Sequence, residues 1–259
     1  MGKFDGIFLV SDWDGTLCNG SNIPQENIDA IRYFQDEGGI FTVCSGRYYP
    51  YLQEFADEIK PNTHLITLNG AVIVDVRDMN FLHRGFLPCG YIEILDELLI
   101  KRGYYNSVTY YDAESCDSIT FCARDYASYR NSLSEKDIYK ILLVSDSGQN
   151  AISGVEYINS LGLTDIIAVR SWSVSTEILS AENTKGKALR RVAKAINAKL
   201  TVAVGDFEND ISMLEEADVS YAVENAQQTV KNVADRITVN CNVGAISQII
   251  KEIEQDIYG

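Results

Sequence analysis

The sequence predicts an α/β protein in which a parallel sheet, covered by helices on both faces, is interrupted by an α+β insert. Short runs of consecutive apolar residues recur in the first and last thirds of the chain, and helix-length segments separate them. Consecutive apolar positions indicate strands buried on both faces, as in parallel sheets between helices. The middle third changes to paired strands with two helices among them, which predicts the insert.

The first segment of the core, residues 1–83, alternates strands and helices. A helix over 24–37 is followed by Gly38 and Gly39, and glycine is the residue that most often terminates a helix. Such alternation is typical of strands that pair in parallel. In chain order the predicted elements are a strand at 7–10, the helix at 24–37, a strand at 40–44, a short helix near 51–59 and a strand at 64–68.

The insert is predicted over residues 84–182, and the second core segment over 183–259. Strands in the insert are expected to pair antiparallel, because they follow one another with few helices between them. The predicted elements of the insert are helices at 91–101 and 149–161, strands at 104–110, 118–123 and 138–144, and strand material within 166–180. The second core segment is predicted to contain a helix at 186–196, a strand at 200–204 and a final helix at 245–257.

Composition places the chain among soluble globular proteins. Of its 259 residues, 46% are hydrophobic and 23% are charged, which argues against a disordered chain. The apolar runs are much shorter than the roughly 20 residues of a membrane helix, and no secretory leader is recognisable. Six cysteines are scattered without a Cys-x-x-Cys pair, a pattern that favours reduced thiols in a cytosol. We therefore expect a cytoplasmic protein with no membrane association.

The net charge of −15 bears on the possible ligands. Nucleic-acid binding needs a concentrated basic surface, so no nucleic-acid partner is expected. An anionic substrate would be repelled by the global field of this chain. A site for such a substrate therefore needs a local positive charge, from a metal ion and a few basic side chains.

Two carboxylates follow the first predicted strand. Asp12 and Asp14 are two residues apart, so on an extended segment both side chains point to one side, at the carboxyl end of a strand where α/β sheets bind ligands. Gly15 allows the backbone to turn close to a ligand, and Thr16 offers a hydroxyl group. Phosphoryl transfer needs one carboxylate as nucleophile and another for proton transfer. The alternative is a solvated or calcium-binding turn, but Leu17 and Cys18 follow where calcium ligands would continue.

The run Asp12-Trp13-Asp14-Gly15-Thr16-Leu17 resembles the first signature of the haloacid dehalogenase-like phosphatase superfamily. This resemblance implies a Rossmann-like parallel core with an inserted cap domain, here of the C2 type, that covers the site and selects the leaving group. It also implies a Mg²⁺ cofactor bound by Asp12 and by the backbone carbonyl of Asp14. The other signatures of the family should then follow in order along the chain.

Ser45-Gly46-Arg47 follows the strand predicted at 40–44. A hydroxyl group and free backbone N–H groups where a strand meets a helix can cradle a phosphate. Taken alone, Ser-Gly-Arg is a common turn. By its position, Ser45 resembles the second-signature hydroxyl that donates to phosphoryl oxygens, and Arg47 would add positive charge toward the substrate.

Lys185 opens the helix predicted at 186–196. A lysine is poorly placed at the positive end of a helix unless an anion lies nearby. Lys185 resembles the third-signature lysine, which offsets the charge of the nucleophile and the phosphate. Lys187 is the rival, and spacing to the following Ala-Leu favours Lys185.

The strand predicted at 200–204 leads into Gly205-Asp206-Phe207-Glu208-Asn209-Asp210. Carboxylate oxygens at a strand end are the ligands that Mg²⁺ selects. The resemblance implies that Asp206 binds the metal directly, that Asp210 assists through water or Lys185, and that Asn209 contacts phosphate. An N-cap with a solvated first turn is the alternative. Asn69, in Asn69-Gly70-Ala71, resembles a further phosphate- or substrate-binding position of the Cof-type branch. Residues 221–235, with Glu224-Asn225-Ala226, resemble another segment of that branch.

Together these signatures predict a magnesium-dependent phosphatase. Its substrates would be small phosphate monoesters, such as sugar phosphates or related metabolites, which are hydrolysed through an aspartyl-phosphate on Asp12. Asp14 would donate and accept the proton, and Lys185 would neutralise charge. Two alternatives remain open: a sugar phosphomutase on the same core, or a non-enzymatic phosphate-sensing protein. A monomer or a weak homodimer is expected.

Overall fold

The computed structural model describes residues 2–20, 22–75, 77–115 and 117–258, and it divides into two compact units. One unit, called here the core, combines residues 1–83 with 185–259, and the other, called the insert, spans 84–184. Within the described ranges, no helix is long and apolar enough to cross a membrane.

The core contains a sheet of five parallel strands. Its strands are β1 (Ile7–Ser11), β2 (Ile40–Val43), β11 (Leu200–Gly205), β12 (Val219–Ala222) and β13 (Arg236–Ile237). They are arranged in the order β13-β12-β11-β1-β2, and every pairing between neighbours is parallel. All five residues of β1 are buried, as expected for a central strand covered on both faces.

The order of the strands in the sheet changes direction at β1. The chain first adds β2 on one side of β1, and after the insert it adds β11 on the other side. In open α/β sheets, ligands bind at the carboxyl ends of the strands that flank such a reversal. The topology therefore directs attention to the residues that follow β1 and β11.

Helices and a second small sheet complete the core. The helices are α1 (Gln25–Asp36), α2 (Tyr49–Gln53), α3 (Ala56–Ile59), α7 (Lys185–Ala195), α8 (Ile211–Glu216), α9 (Gln228–Lys231) and α10 (Ala245–Tyr258). The small sheet has the order β3-β4-β5 and consists of β3 (Leu65–Thr67), β4 (Val72–Val74) and β5 (Phe81–Arg84). Helix α1 buries Ile28, Ile31 and Phe34 on one face, which is the spacing of an amphipathic helix.

The insert is built on an antiparallel sheet. Its strands are β6 (Ser107–Asp112), β7 (Asp117–Cys122), β8 (Ile138–Val144), β9 (Ile166–Val169) and β10 (Ser175–Ser180), in the order β7-β6-β8-β10-β9. Every pairing between neighbours is antiparallel. Its helices are α4 (Tyr91–Leu95), α5 (Tyr126–Ser134) and α6 (Gly148–Ser160). A continuous apolar cluster, with Leu95, Val108 and Ile178 among its members, gives the insert a core of its own.

The predicted α/β class with an antiparallel α+β insert is confirmed, and three details differ from the sequence expectation. The strand predicted at 64–68 as part of the parallel sheet is β3, which pairs antiparallel with β4 in the small sheet. The helix predicted over 91–101 is α-helical only to Leu95 and continues as a wider π-helical turn over Asp96–Lys101. The helix α5 was not predicted, because only Tyr126 and Leu133 of its nine residues are buried and no apolar stripe marks it. Five cysteines are free thiols, namely Cys18, Cys44, Cys89, Cys122 and Cys241, whereas Cys116 lies outside the described residues.

Candidate active site

Three loops meet at the carboxyl edge of the parallel sheet. Asp12 directly follows β1, Asp206 directly follows β11, and Ser45 lies two residues beyond the end of β2. The backbone N–H of Asp12 donates to Val204 O at 3.0 Å, which extends the pairing of β1 with β11 to the first residue of the loop. The parallel sheet thus brings these side chains to one edge.

Lys185 lies at the centre of a buried group of charges. Its Nζ donates to Asp12 Oδ1 at 2.5 Å and to Asp210 Oδ1 at 2.6 Å. Its side chain is fully buried, and those of Asp12 and Asp210 are nearly so. Lys187, the rival from the sequence, is exposed on the same helix. Burial lowers the pKa of Lys185, but the charges of Asp12 and Asp210 outweigh burial and raise it well above its ordinary value.

Three carboxylates surround one potential cation site. Asp12, Asp206 and Asp210 each offer an oxygen, and these oxygens all lie within 4.8 Å of one another. Burial, followed by the charge of Asp210, raises the pKa of Asp206 to about 7 and raises that of Asp12 well above its ordinary range. When all three are ionised, three negative charges and the one positive charge of Lys185 leave a net charge of −2.

This arrangement fits a divalent metal ion. The net charge of −2 is offset by a 2+ ion, and oxygen ligands of this kind suit Mg²⁺ better than soft metals. The raised pKa values of Asp12 and Asp206 have the same two causes, first burial and then the negative charge of Asp210, and a cation bound among these carboxylates would counteract both. Asp210 is also held by two backbone donors, the N–H groups of Asp206 and Phe207, at 2.9 and 3.1 Å from its Oδ2.

Gly15 and Thr16 connect the loop after β1 to Asp206. The hydroxyl group of Thr16 donates to Asp206 Oδ1 at 2.9 Å. Gly15 has a φ of +81°, and a Cβ atom there would lie 2.6 Å from Asp206 Oδ2. Both the left-handed backbone and the close approach of the carboxylate require glycine at this position.

Asp14 does not join the buried carboxylates. Its two oxygens accept from Arg47 Nε and Nη2, both at 2.9 Å, and both side chains are about half exposed. The guanidinium of Arg47 also lies over the ring of Tyr51, 4.5 Å from its centroid. The side chain of Asp14 therefore pairs with Arg47 and is not among the three carboxylates that surround the potential cation site. The role of its backbone carbonyl as a metal ligand stays a prediction.

The Ser45-Gly46-Arg47 segment forms a compact turn after β2. Ser45 is buried, and its Oγ accepts from the N–H of Arg47 at 3.0 Å. The N–H of Ser45 donates to Ile66 O at 2.9 Å, which anchors the turn to β3. Gly46 lies between them, half-buried. The hydroxyl group and backbone of this turn are held in one conformation at the edge of the sheet.

Asn69 and Asn209 contact each other beside this turn. Asn209 Nδ2 donates to Asn69 Oδ1 at 3.2 Å, and both residues are buried. The backbone N–H of Asn69 donates to Ser45 O at 2.9 Å. Asn69 and the preceding Leu68 have φ values of +57° and +50°. Left-handed backbone at two consecutive non-glycine residues is costly and is found most often at functional sites.

Some residues at this edge were not anticipated. Asn225 Nδ2 donates to Gly15 O at 2.7 Å, and the N–H of Gln227 donates to Asp206 O at 3.0 Å. The partnership of Asp14 with Arg47 was also not anticipated. The sequence contained one signal for Asn225, since Glu224-Asn225-Ala226 resembles a segment of the Cof-type branch, but that signal assigns no role to the side chain.

Comparison with known proteins matches the chain to one family of hydrolases and to phosphatases. The family model described as haloacid dehalogenase-like hydrolase matches residues 9–250. Phosphatase YwpJ of Bacillus subtilis is 28% identical, with 95% of this chain and 99% of the relative covered. The 5-amino-6-(5-phospho-D-ribitylamino)uracil phosphatase YcsE of the same organism is 29% identical, with 89% of this chain and 88% of the relative covered.

Solved structures show the same fold. The sugar phosphatase BT4131, of subclass IIB of the haloacid dehalogenase superfamily, superposes with a TM-score of 0.79 at 20% identity, with 96% of this chain and 99% of that chain covered. A haloacid dehalogenase-like hydrolase from Bacillus subtilis superposes with a TM-score of 0.75 at 24% identity, with 94% and 98% covered.

Proposed function

The chain belongs to the haloacid dehalogenase-like hydrolase family, as a Cof-type phosphatase, and from this we propose that it hydrolyses small phosphate monoesters with Mg²⁺ through an aspartyl-phosphate on Asp12. The observation that carries the proposal is the buried contact of Lys185 with Asp12 and Asp210, next to Asp206. A buried group of three carboxylates and one lysine is expected where a protein binds a divalent cation and a phosphate together.

In the proposed reaction, a carboxylate oxygen of Asp12 attacks phosphorus as the bond to the leaving oxygen breaks. Asp14 protonates that oxygen and then takes a proton from the water that hydrolyses the aspartyl-phosphate. A bound Mg²⁺ would be held by Asp12, Asp206 and the Asp14 carbonyl, with Asp210 assisting, and it would offset negative charge on the phosphoryl oxygens.

Other residues of the edge are proposed to bind the phosphoryl group or the substrate. The hydroxyl groups of Thr16 and Ser45, the turn at Gly46, and the amides of Asn69 and Asn209 are proposed to contact the phosphoryl oxygens or the substrate. Arg47 is proposed to exchange its contact with Asp14 for the substrate, because Arg47 occupies both oxygens of Asp14 here, and the carboxyl group that protonates the leaving oxygen must face that oxygen instead.

The proposed substrates are sugar phosphates or related metabolites. This rests on two similar proteins, BT4131, which is a sugar phosphatase, and YcsE, which acts on a phosphorylated ribitylamino compound. The leaving groups of both are rich in hydroxyl groups. A screen of phosphorylated sugars, polyols and nucleotides with Mg²⁺ would rank these classes by kcat/KM.

The experiment that tests the proposal is hydrolysis of p-nitrophenyl phosphate by purified protein. Asp12→Asn is expected to reduce kcat by at least ~10³-fold, because removing a nucleophile removes the covalent route. Excess chelator should abolish turnover, and added Mg²⁺ should restore it. Asp29→Asn, an exposed change on α1, is the matched control and should retain activity. Equal activity of Asp12→Asn and the unaltered protein would refute the proposal.

A further inference from the structure

The turn between β12 and α9 contacts both loops that carry the buried carboxylates. This turn spans residues 223–227. The N–H of Gln227 donates to Asp206 O at 3.0 Å, and the N–H of Val223 donates to Gly205 O at 3.3 Å. On its other side, Asn225 Nδ2 donates to Gly15 O at 2.7 Å. One short segment thus holds the backbone on both sides of the cation site.

The orientation of the Asn225 amide follows from its two partners. Asn225 Oδ1 accepts from the N–H of Cys241 at 2.9 Å. A backbone N–H can only donate, so the oxygen of the amide must face Cys241 and the NH₂ group must face the Gly15 carbonyl. Both ends of the side chain are therefore used, and the amide is fixed between two backbone groups.

A second tie joins the same two loops. The hydroxyl group of Thr16 donates to Asp206 Oδ1 at 2.9 Å, one residue beyond the carbonyl that Asn225 holds. Gly15 meanwhile allows Asp206 to approach so closely that a Cβ would overlap with it. The separation of Asp12 from Asp206 thus depends on how firmly the segment Gly15–Thr16 is held. Asn225 holds this segment through the Gly15 carbonyl, and Thr16 holds it through the carboxylate of Asp206.

We propose that Asn225 is a positioning residue that fixes the separation of the Asp12 and Asp206 loops and thereby sets the affinity for the divalent cation. The inference rests on the proposed metal site and adds to it a residue that touches neither metal nor substrate. Mg²⁺ demands near-octahedral geometry with short ligand distances, so small changes in ligand separation weaken its binding. Hydrogen bonds that orient the ligands typically change metal affinity by about 10- to 100-fold when removed.

A purely structural role for Asn225 would have a different signature. The side chain is exposed, so its truncation leaves no cavity in the core. The bond to Gly15 O is solvent-exposed, so water replaces the lost partner, and the part-buried bond from the Cys241 N–H is a single neutral contact that contributes about 1 kcal/mol at most. Loss of the Asn225 amide should therefore leave thermal unfolding of the metal-free protein almost unchanged, while the affinity for the cation falls.

The test is titration of the full chain with Mn²⁺, followed by electron paramagnetic resonance of the free ion. Asn225→Ala is expected to weaken Mn²⁺ binding by about 10-fold relative to the unaltered protein. Asn232→Ala is the matched control, because it removes another exposed amide contact, from Gln228 Nε2 at 2.8 Å, away from the site. Its Kd for Mn²⁺ should not change. Unfolding of both variants in chelator is measured in parallel.

Each outcome decides a different question. If the unaltered protein binds no Mn²⁺, the proposed metal site fails together with the inference. If it binds Mn²⁺ and Asn225→Ala binds equally well, the metal site stands and the positioning role is overturned. If Asn225→Ala raises KM for p-nitrophenyl phosphate without changing the Mn²⁺ Kd, Asn225 contacts substrate and the inference is also overturned. Should Asn225→Ala fail to fold, Asn225→Ser is titrated instead, with the same expectation.

Discussion

At the scale of single residues, the molecule places charge where folding alone would not favour it. Lys185, Asp12 and Asp210 are all buried, and the charges do not cancel. Burying a charge costs free energy that a paired charge only partly recovers. A fold that served stability alone would fill these positions with apolar side chains. The cost is understandable if a cation and a phosphate complete the group.

Gly15 provides a test of this close packing. Gly15→Ala should weaken Mg²⁺ activation by at least ~10-fold, because the new Cβ would lie 2.6 Å from Asp206 Oδ2 and push the carboxylate away. The same change should also lower the free energy of unfolding by about 1 kcal/mol, since the backbone at φ +81° disfavours a side chain. Activity against Mg²⁺ concentration and chemical denaturation measure the two effects.

Gly20→Ala is the matched control for Gly15→Ala. Gly20 also has a positive φ, +64°, but nothing lies within 4 Å of the position its Cβ would take. It should therefore lose a similar free energy of unfolding and keep its Mg²⁺ dependence. If both variants show the same Mg²⁺ dependence as the unaltered protein, the close approach of Gly15 to Asp206 has no role in metal binding.

The residues of the candidate site could be predicted from the sequence more readily than the contacts between them. The set Asp12, Ser45, Lys185 and Asp206 could be predicted, because each follows a strand or opens a helix at the same edge of a parallel sheet. The pairing of Arg47 with Asp14 could not, since it depends on the rotamers of two half-exposed side chains. The role of Asn225 could not either, because its partners are backbone atoms 16 and 210 residues away.

At the scale of elements, the strands of the core were the most predictable part. Strand β1 was expected at 7–10 and spans Ile7–Ser11, because consecutive apolar residues have few alternatives to a buried strand. The helix α5 and the π-helical turn at Asp96–Lys101 were missed. Both are surface elements with few buried residues, so their formation depends on tertiary contacts that no local pattern records.

The insert is expected to fold on its own. A fragment of residues 84–184 should unfold cooperatively in denaturant, because the five strands described in it pair with one another and pack on an apolar cluster. Circular dichroism at increasing urea concentration measures this. A fragment that shows only a gradual change in signal would contradict the independence of the insert.

The first core segment provides the comparison. A fragment of residues 1–83 should not fold, because β1 pairs on one side with β11, which belongs to the second segment. Its central strand would then expose an edge and an apolar face to water. If this fragment also unfolded cooperatively, the contrast between a continuous insert and a discontinuous core would be wrong.

At the scale of the whole molecule, the net charge of −15 and the candidate active site have to be considered together. An anionic substrate would be repelled at long range, so the proposed function needs the proposed cation and Lys185 to attract it locally. The resemblance to haloacid dehalogenase-like phosphatases, first recognised from four short segments, is confirmed by the family match over residues 9–250. The identity of the leaving group could not be predicted, since the four segments concern the phosphate and the metal and do not determine which compound carries the phosphate.

The central claim is that Asp12 is the nucleophile, and chemical trapping tests it most directly. Protein carrying Asp14→Asn is mixed with Mg²⁺ and p-nitrophenyl phosphate, quenched, and reduced with borohydride, which converts an aspartyl-phosphate to homoserine. Loss of the proton-transfer group should let the intermediate accumulate. Peptide mass spectrometry is expected to find homoserine at position 12 and unmodified aspartate at position 206. Turnover with no homoserine at position 12, or homoserine at another aspartate, would contradict the account.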